Sequence, residues 1–290
     1  MKVDKGIEHI SVVGFPKSGN TWLTRLLADL LSCPVHQGAM RGNPEIAAEI
    51  NQRLPRGVDS KFDVRKEHFL PTSHFNEVDE VPTRIVYIYR DVRDVLISAF
   101  FYKTSYKETD VQTRDYISLL FTPHAAPRYW NCRRKLFKYV KQFSAEGWGG
   151  PVGDWSQHIT EWRNEKRLRS DIAFAFVSYE ELLIDTTSTI LRILHELELP
   201  IPSDKHLQDV VERQSFIAQK QHFEKLPDIA NVPLGKEFNV KFLRKGVAGD
   251  WRNFLSCRMG RVLHKHQGET LIELGYESDP GWYEKIIFDM

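Results

Sequence analysis

Cysteine is scarce in this chain: Cys33, Cys132 and Cys257 are the 3 in 290 residues, far apart and without C-x-x-C spacing. An odd, scattered set excludes a disulfide framework and a cysteine-built zinc site, and it fits a reducing compartment, the cytoplasm. Long apolar runs are missing too. No segment approaches the roughly 18 consecutive apolar residues of a membrane helix, and the N-terminal MKVDKGIEHI has no basic region followed by an apolar stretch. The expectation is a soluble, unexported protein. Nor is there an excess of either charge, since 40 Lys plus Arg stand against 39 Asp plus Glu, a formal net charge of +1. No field over the whole molecule recommends nucleic acid or an anionic membrane, so any anion site has to be local. No internal repeat, low-complexity tract or Pro/Gly/Ser-rich linker divides residues 1–290, and one domain is the simplest organisation.

What is present suffices for a core, with 41% of the residues hydrophobic. Three stretches read as strands that feed helices. HISVVGF (9–15) leads through a loop into a helix with Trp22, Leu23, Leu26, Leu27, Leu30 and Leu31 at three- and four-residue steps, stopped by Pro34. RIVYIY (84–89) is almost continuously apolar, β-branched or aromatic, and Asp91 can start the helix after it. DIAFAFVSY (171–179) precedes Glu180, Glu181 and the helical TTSTILRILHELEL. This alternation predicts an α/β fold, a central parallel β-sheet flanked by helices, with ligands beyond the C-terminal ends of the strands. In GDWSQHITEW (153–162), Trp155, Ile159 and Trp162 have core spacing, and the histidine between them is given no chemistry. Stretches 34–75, 101–153 and 222–245 are less regular and read as functional covers. Within them CRRKLFKYVK (132–141) reads as a solvated helix face with Leu136, Phe137 and Val140 inward, docking to an anionic partner being the alternative.

The segment VVGFPKSGNTWL (12–23) carries the chemistry. A glycine-rich turn between a strand and a helix offers backbone N–H groups and the positive end of the helix dipole to an anion. In nucleoside-triphosphate loops a lysine follows the second glycine and reaches the β- and γ-phosphates. Here Gly14 and Gly19 keep the spacing, Asn20 and Thr21 fill the next two places, and the cation, Lys17, has moved into the loop. From there it projects toward the bond between a 5′-phosphate and the group being transferred. A P-loop-type small-molecule kinase is the rival, and it lacks its lysine.

FPKSGNTWL resembles the 5′-phosphosulfate loop of the sulfotransferases, close to Y-P-K-S-G-T-T-W-L, with Asn20 as the departure. YRDVRDVLISAF resembles the family's 3′-phosphate segment, with Arg90 closing a strand and Ser98 eight residues on. FLRKGVAGDWRNFLS (242–256) resembles R-K-G-x-x-G-D-W-[KR]-N, where Arg244, Lys245 and Gly246 make a basic loop. The resemblance runs from about residue 9 to 260. It implies a P-loop-like nucleotide-binding fold, the donor 3′-phosphoadenosine 5′-phosphosulfate (PAPS), its product adenosine 3′,5′-bisphosphate (PAP), and no metal. The donor contacts it implies are Lys17, Ser18, Gly19, Asn20 and Thr21 at the 5′ end, and Arg90, Ser98, Arg244, Lys245 and Gly246 at the 3′-phosphate. Trp22 would stack on the adenine, Tyr179 would hydrogen-bond it, and Ser215 and Phe216 would flank it. Asn20 is expected to donate to a phosphate in place of the usual threonine.

The resemblance also implies a histidine base in the pattern K-T-H-L-P. The chain reads VRKEHFLP (64–71), so His68 corresponds, Lys66 is its catalytic neighbour, and Phe69 is one residue extra. His74 in PTSHF is the second candidate. The implied reaction is in-line displacement at sulfur, with His68 taking the acceptor's proton while Lys17 and the loop stabilise the departing phosphate oxygen. The acceptor is a small-molecule hydroxyl; Phe69, Phe100, Phe101 and Tyr102 suggest an apolar or aromatic body, with sugar hydroxyls open. A non-catalytic PAP or PAPS binder is also open. The family's C-terminal dimer motif, K-x-x-x-T-V-x-x-x-E, has only RNFLSCRMGR against it, and the oligomeric state stays undecided.

Overall fold

A computed structural model describes residues 6–36, 51, 61–77, 82–107, 126–225 and 243–286. They fall into two compact units, one of residues up to 90 with 158–246, the other of 91–157 with 247–290.

The first unit is built on four parallel strands in the order β2-β1-β3-β4: β1 (Glu8–Val13), β2 (Phe62–Glu67), β3 (Arg84–Tyr89) and β4 (Ala173–Ser178). In register, Val12 stands beside Lys66 on one side and Val86 on the other. Helix α1 (Asn20–Leu30) follows β1, and α2 (Pro71–Glu77) follows β2. The later helices are α3 (Val92–Lys107), α4 (Ala126–Glu146), α5 (Trp155–Leu168), α6 (Tyr179–Ile184), α7 (Thr186–Glu196), α8 (Asp204–Arg213), α9 (Phe216–Glu224) and α10 (Cys257–Glu273). One core joins Ile10 and Val12 of β1 and Val86 and Ile88 of β3 to Leu23, Leu26 and Leu27 of α1 and Ile190, Ile193 and Leu194 of α7. Each such side chain, wholly withdrawn from water, contributes about 1.5–3 kcal/mol. This explains why the three-and-four spacing of α1 and the continuous apolar run of β3 form as expected.

Strand β2 is the element that the sequence hides. It lies in a stretch read as irregular because FDVRKE breaks the apolar continuity of a buried parallel strand. Asp63, Arg65 and Glu67 are nonetheless buried. Asp63 is held by His9 Nδ1 at 2.5 Å, with Arg65 Nε 3.8 Å away, so the charge is compensated within the sheet. Helices α2 and α4 also lie in stretches read as irregular; the remainder of those covers, 37–50, 52–60, 108–125 and 226–242, is outside the described residues.

The strand order turns back between β1 and β3, which opens a crevice at their C-terminal ends. The two chains run so close there that a Cβ on Gly14 would lie 2.2 Å from the Ile88 carbonyl oxygen. Only glycine fits.

The second unit holds α3, α4 and α10. At its centre Arg93 is 1% exposed, pairs with Asp91 at 2.7 Å and with Glu277, and lies between the rings of Trp251 (4.0 Å) and Trp282 (4.7 Å). Asp94 accepts from the N–H groups of Gly249 (2.6 Å) and Trp251 (2.9 Å), tying the start of α3 to the GDW turn. Phe100 packs on Phe101 and Tyr139, and Phe101 on Phe254. Their burial is accounted for by this unit's own core, which removes the reason to read them as an acceptor wall. On α4, Leu136 and Val140 are buried while Arg134, Lys135, Lys138 and Lys141 are exposed, the pattern of a solvated helix face. Trp155, Ile159 and Trp162 are buried, as their spacing implies. Among the described residues no helix is long and apolar enough to cross a membrane.

Candidate active site

The loop between β1 and α1 is built to receive negative charge. Helices α6 to α10 each begin on a side-chain cap, from Ser178, Asp185, Ser203, Ser215 and Ser256. Helix α1 begins on Gly19, at φ 105°, with no side-chain cap and no acidic residue in its first turn. Its first N–H groups are therefore left for an anion. A Cβ on Gly19 would meet the Tyr179 ring at 2.7 Å. Lys17 adopts φ 73°, a left-handed conformation that costs a lysine about 1–3 kcal/mol and is typical of ligand loops. Ser18 is fully buried and its Oγ finds no hydrogen-bond partner among the described residues, which suits an incoming oxygen. Thr21 is buried beside it.

Cations gather on this loop. Burial, followed by repulsion from Lys66, Arg90 and Arg244, lowers the Lys17 pKa to about 7. Lys66, half-buried on β2, is lowered to about 8, by burial first; Glu67 opposes that shift and Arg25 adds to it. Like charges held together this way call for a polyanion. Arg90 Nη1 lies 3.5 Å from the Lys17 carbonyl oxygen, and its guanidinium stands 4.2 Å from the Tyr179 ring centroid. Trp22 meets Tyr179 edge-on at 5.9 Å and donates its indole N–H to the Gln214 carbonyl at 3.0 Å. Gly246, at φ 65°, comes so close to Phe216 that a Cβ would lie 2.3 Å from that ring, and Lys245 is half-buried beside it. Ser215 uses its hydroxyl to accept from Ala218 N–H, so it shapes the start of α9. Ser98 is half-buried on α3 and belongs to the second unit; the other predicted donor residues all belong to the first.

Asn20 departs from its expected role. Its side-chain amide donates to the carbonyls of Gly14 (3.1 Å) and Glu67 (3.5 Å), lashing the start of α1 to the ends of β1 and β2. What it offers an anion is its backbone N–H.

His68 follows β2 directly, and its Nδ1 lies 2.7 Å from the Gly14 carbonyl oxygen. A carbonyl only accepts, so Nδ1 carries the proton and Nε2 keeps its lone pair. Burial, then the charge of Lys66, holds the ring's pKa well below the usual 6.5, so it is neutral at pH 7 and ready to take a proton. The extra residue, Phe69, leaves the His68 ring against Gly14. Trp162 Nε1 donates to the Phe69 carbonyl at 3.0 Å and His158 Nε2 to the His68 carbonyl at 3.1 Å, while the Tyr87 hydroxyl is 2.8 Å from His158 Nδ1. His74, the second candidate, is fully buried against Phe75 and Trp162, and neither ring nitrogen has a hydrogen-bond partner among the described residues. Burial lowers its pKa to about 4. It is a packed core residue.

Tyr87, His158 and Trp162 are supports that the sequence does not assign. The signal was there: a hydroxyl in the middle of apolar β3 and a histidine within a buried stripe both require polar partners. Among the described residues no group of three or more His, Cys, Asp or Glu could hold a metal ion.

Known proteins resemble this chain along nearly its whole length. Sulfotransferase 2A1 of Macaca fascicularis is 23% identical over 291 residues, spanning 94% of this chain and 87% of the relative. Sulfotransferase 1E1 of Homo sapiens is 24% identical over 282 residues, 92% of this chain and 84% of the relative. Among solved structures, mouse sulfotransferase SULT7A1 complexed with PAP covers 96% of this chain and 89% of its own, with a TM-score of 0.56 at 19% identity. Retinol dehydratase in complex with androsterone and inactive cofactor PAP covers 91% and 80%, with a TM-score of 0.52 at 17% identity. The family model described as the sulfotransferase domain matches residues 8–275. With nearly its whole length inside that match, the chain belongs to the sulfotransferase family.

Proposed function

We propose that residues 1–290 act as a single sulfotransferase domain that moves a sulfonate group from PAPS to a hydroxyl of a small-molecule acceptor with an apolar or aromatic body, releasing PAP. The observation that carries this reading is the 2.7 Å contact between His68 Nδ1 and the Gly14 carbonyl, which mounts a neutral base on the anion loop itself. A kinase has no use for that base at that place, and the lysine it needs is Asn20.

Bound PAPS supplies the activated sulfonate on a 5′-phosphate leaving group. Lys17 and the N–H groups opening α1 meet the negative charge at that end. Arg90, Arg244, Lys245 and Gly246 hold the 3′-phosphate, and Trp22, Tyr179 and Phe216 flank the base. His68 Nε2 takes the acceptor's proton, and the imidazolium so formed keeps its Nδ1–H on Gly14. Lys66, beside it, stabilises negative charge. Lysine and arginine serve where a metal would otherwise be used. Solved neighbours crystallised with retinol and with androsterone support an apolar acceptor. Three free cysteines suit the cytoplasm.

The test is melting in parallel with PAP, ADP and ATP plus Mg²⁺, followed by an acceptor screen read by product mass. PAP at a hundredfold over its Kd should add about 2.7 kcal/mol and raise the midpoint by several degrees. Stabilisation by ATP and Mg²⁺ but not by PAP would move the protein to the kinases. A PAP shift without turnover on phenols, sterols, retinoids or sugars would leave a non-catalytic binder.

A further inference from the structure

The mechanism leaves one buried group unused. His158 is fully buried on α5, with its ring edge-on to Phe15 at 5.8 Å. Its Nε2 faces the His68 carbonyl and its Nδ1 faces the Tyr87 hydroxyl. Because the carbonyl only accepts, Nε2 carries the hydrogen, and Nδ1 receives the proton of Tyr87. Tyr87 is itself fully buried and stacked on Phe176 at 5.0 Å, so the brace cannot swing away. Trp162, four residues on from His158 and therefore on the same face of α5, performs the same service for the next carbonyl, that of Phe69. Two adjacent carbonyls are thus tethered at the place where the chain carries a residue beyond the family pattern.

We infer that His158, braced by Tyr87, is a positioning residue that sets the tautomer of His68. The chain of contacts runs Tyr87 O–H to His158 Nδ1, His158 Nε2–H to the His68 carbonyl, and His68 Nδ1–H to the Gly14 carbonyl. The last bond selects the Nδ1–H form that leaves Nε2 open to the acceptor, and it holds only while the His68 backbone stays where His158 puts it. Without His158 the 68–69 peptide can rotate, the bond to Gly14 bends, and the ring is free to place its proton on Nε2, where it blocks catalysis. His158 touches neither donor nor acceptor in this scheme. The inference rests on the function proposed above.

The experiment compares His158→Leu, His158→Gln and Tyr87→Phe with the parent protein, measuring kcat, PAP affinity and the imidazole ¹⁵N spectrum of His68, which is assigned from its absence in His68→Gln. His158→Leu is expected to lose about 10- to 100-fold in kcat, the usual effect of removing a group that orients another. Its PAP affinity should stay within about twofold, because the phosphate loop keeps its own bonds. Glutamine places a donor near the position of Nε2 and should restore most of kcat; Tyr87→Phe should lose less than leucine does. In the spectrum, the parent should show a protonated Nδ1 and a bare Nε2, and the leucine variant an averaged pair. A parent-like kcat or an unchanged ¹⁵N pair in His158→Leu overturns the inference. So does an equal loss in the glutamine variant accompanied by a matching loss of PAP affinity, the pattern of mere misfolding. Should the leucine variant not fold, His158→Gln and Tyr87→Phe decide by the same two readouts. A parent without turnover would sink the function while the spectra still judged the tautomer.

Discussion

The guanidinium of Arg90 lies 4.2 Å from the ring centroid of Tyr179, so the cation at the end of β3 is held over the first residue of α6. A guanidinium fixed in this way presents its fork to a phosphate at little further entropic cost. Arg90→Ala should therefore weaken PAP by about 10- to 100-fold, the value of one or two hydrogen bonds to a charged group, and weaken ADP far less. Calorimetry with both ligands decides; equal losses would take Arg90 out of the 3′-phosphate site.

Lys17 gives a pH signature. Its pKa is about 7 without ligand, and an anion in the loop favours its charged form, so the complex binds more protons than the free protein above pH 7. PAP affinity should fall as pH rises from 7 to 9, with net proton uptake at pH 8 in buffers of different ionisation heat. Lys66, lowered to about 8, adds to it. Lys17→Arg should remove the larger share. For the ligand-free fold the sign is opposite: the folded chain holds fewer protons than the unfolded one between about 7 and 10.5, so this lysine makes stability rise with pH in that window. Binding without proton uptake at pH 8 would contradict the crowding of cations.

His68→Gln and Lys17→Ala should each lower kcat by about 10²- to 10³-fold, while PAP binding survives in the first. Because the His68 pKa lies well below 6.5 and a bound anion keeps Lys17 charged, kcat at saturating donor should stay level from pH 7 to pH 6 and fall only in more acid solution. Activity halving near pH 6.5 in the parent, and absent from His68→Gln, would show a base of ordinary pKa.

Asn20→Ala removes two bonds to main-chain carbonyls and should cost about 1–2 kcal/mol of stability by urea denaturation. PAP affinity should change by less than about threefold, since the backbone N–H that an anion meets remains. A large loss of affinity at unchanged stability would return the side chain to the phosphate.

Arg93→Met removes from between the Trp251 and Trp282 rings the guanidinium that pairs with buried Asp91 and with Glu277, and should destabilise the protein by about 3–5 kcal/mol. The midpoint of urea unfolding measures it. A loss under about 1 kcal/mol would mean that Asp91 finds another partner or becomes neutral.

The candidate phosphate motifs were legible because each depends on residue type at fixed spacing: Gly14, Lys17 and Gly19 in one turn, Arg90 at a strand end, Arg244 to Gly246 in another turn. The strand that leads into His68 was not. Its buried Asp63 is held by His9 and faced by Arg65, and a reading by hydropathy sees only polarity. Asn20 was assigned by analogy to the threonine it replaces; its longer amide reaches carbonyls that a hydroxyl would not, and only coordinates reveal them. The support from Tyr87 and His158 depends on residues 71 apart meeting inside the core, which no local pattern records.

Strand β2 closes one edge of the sheet, and edges are where proteins recruit one another into aggregates. Its outer side is met by the Val35 bridge to Val64, and its buried acids and bases would have to find new partners before a foreign strand could dock. The same residues that conceal this strand from a hydropathy reading thus lie on an edge that Val35 already bridges, and His68 follows directly from it.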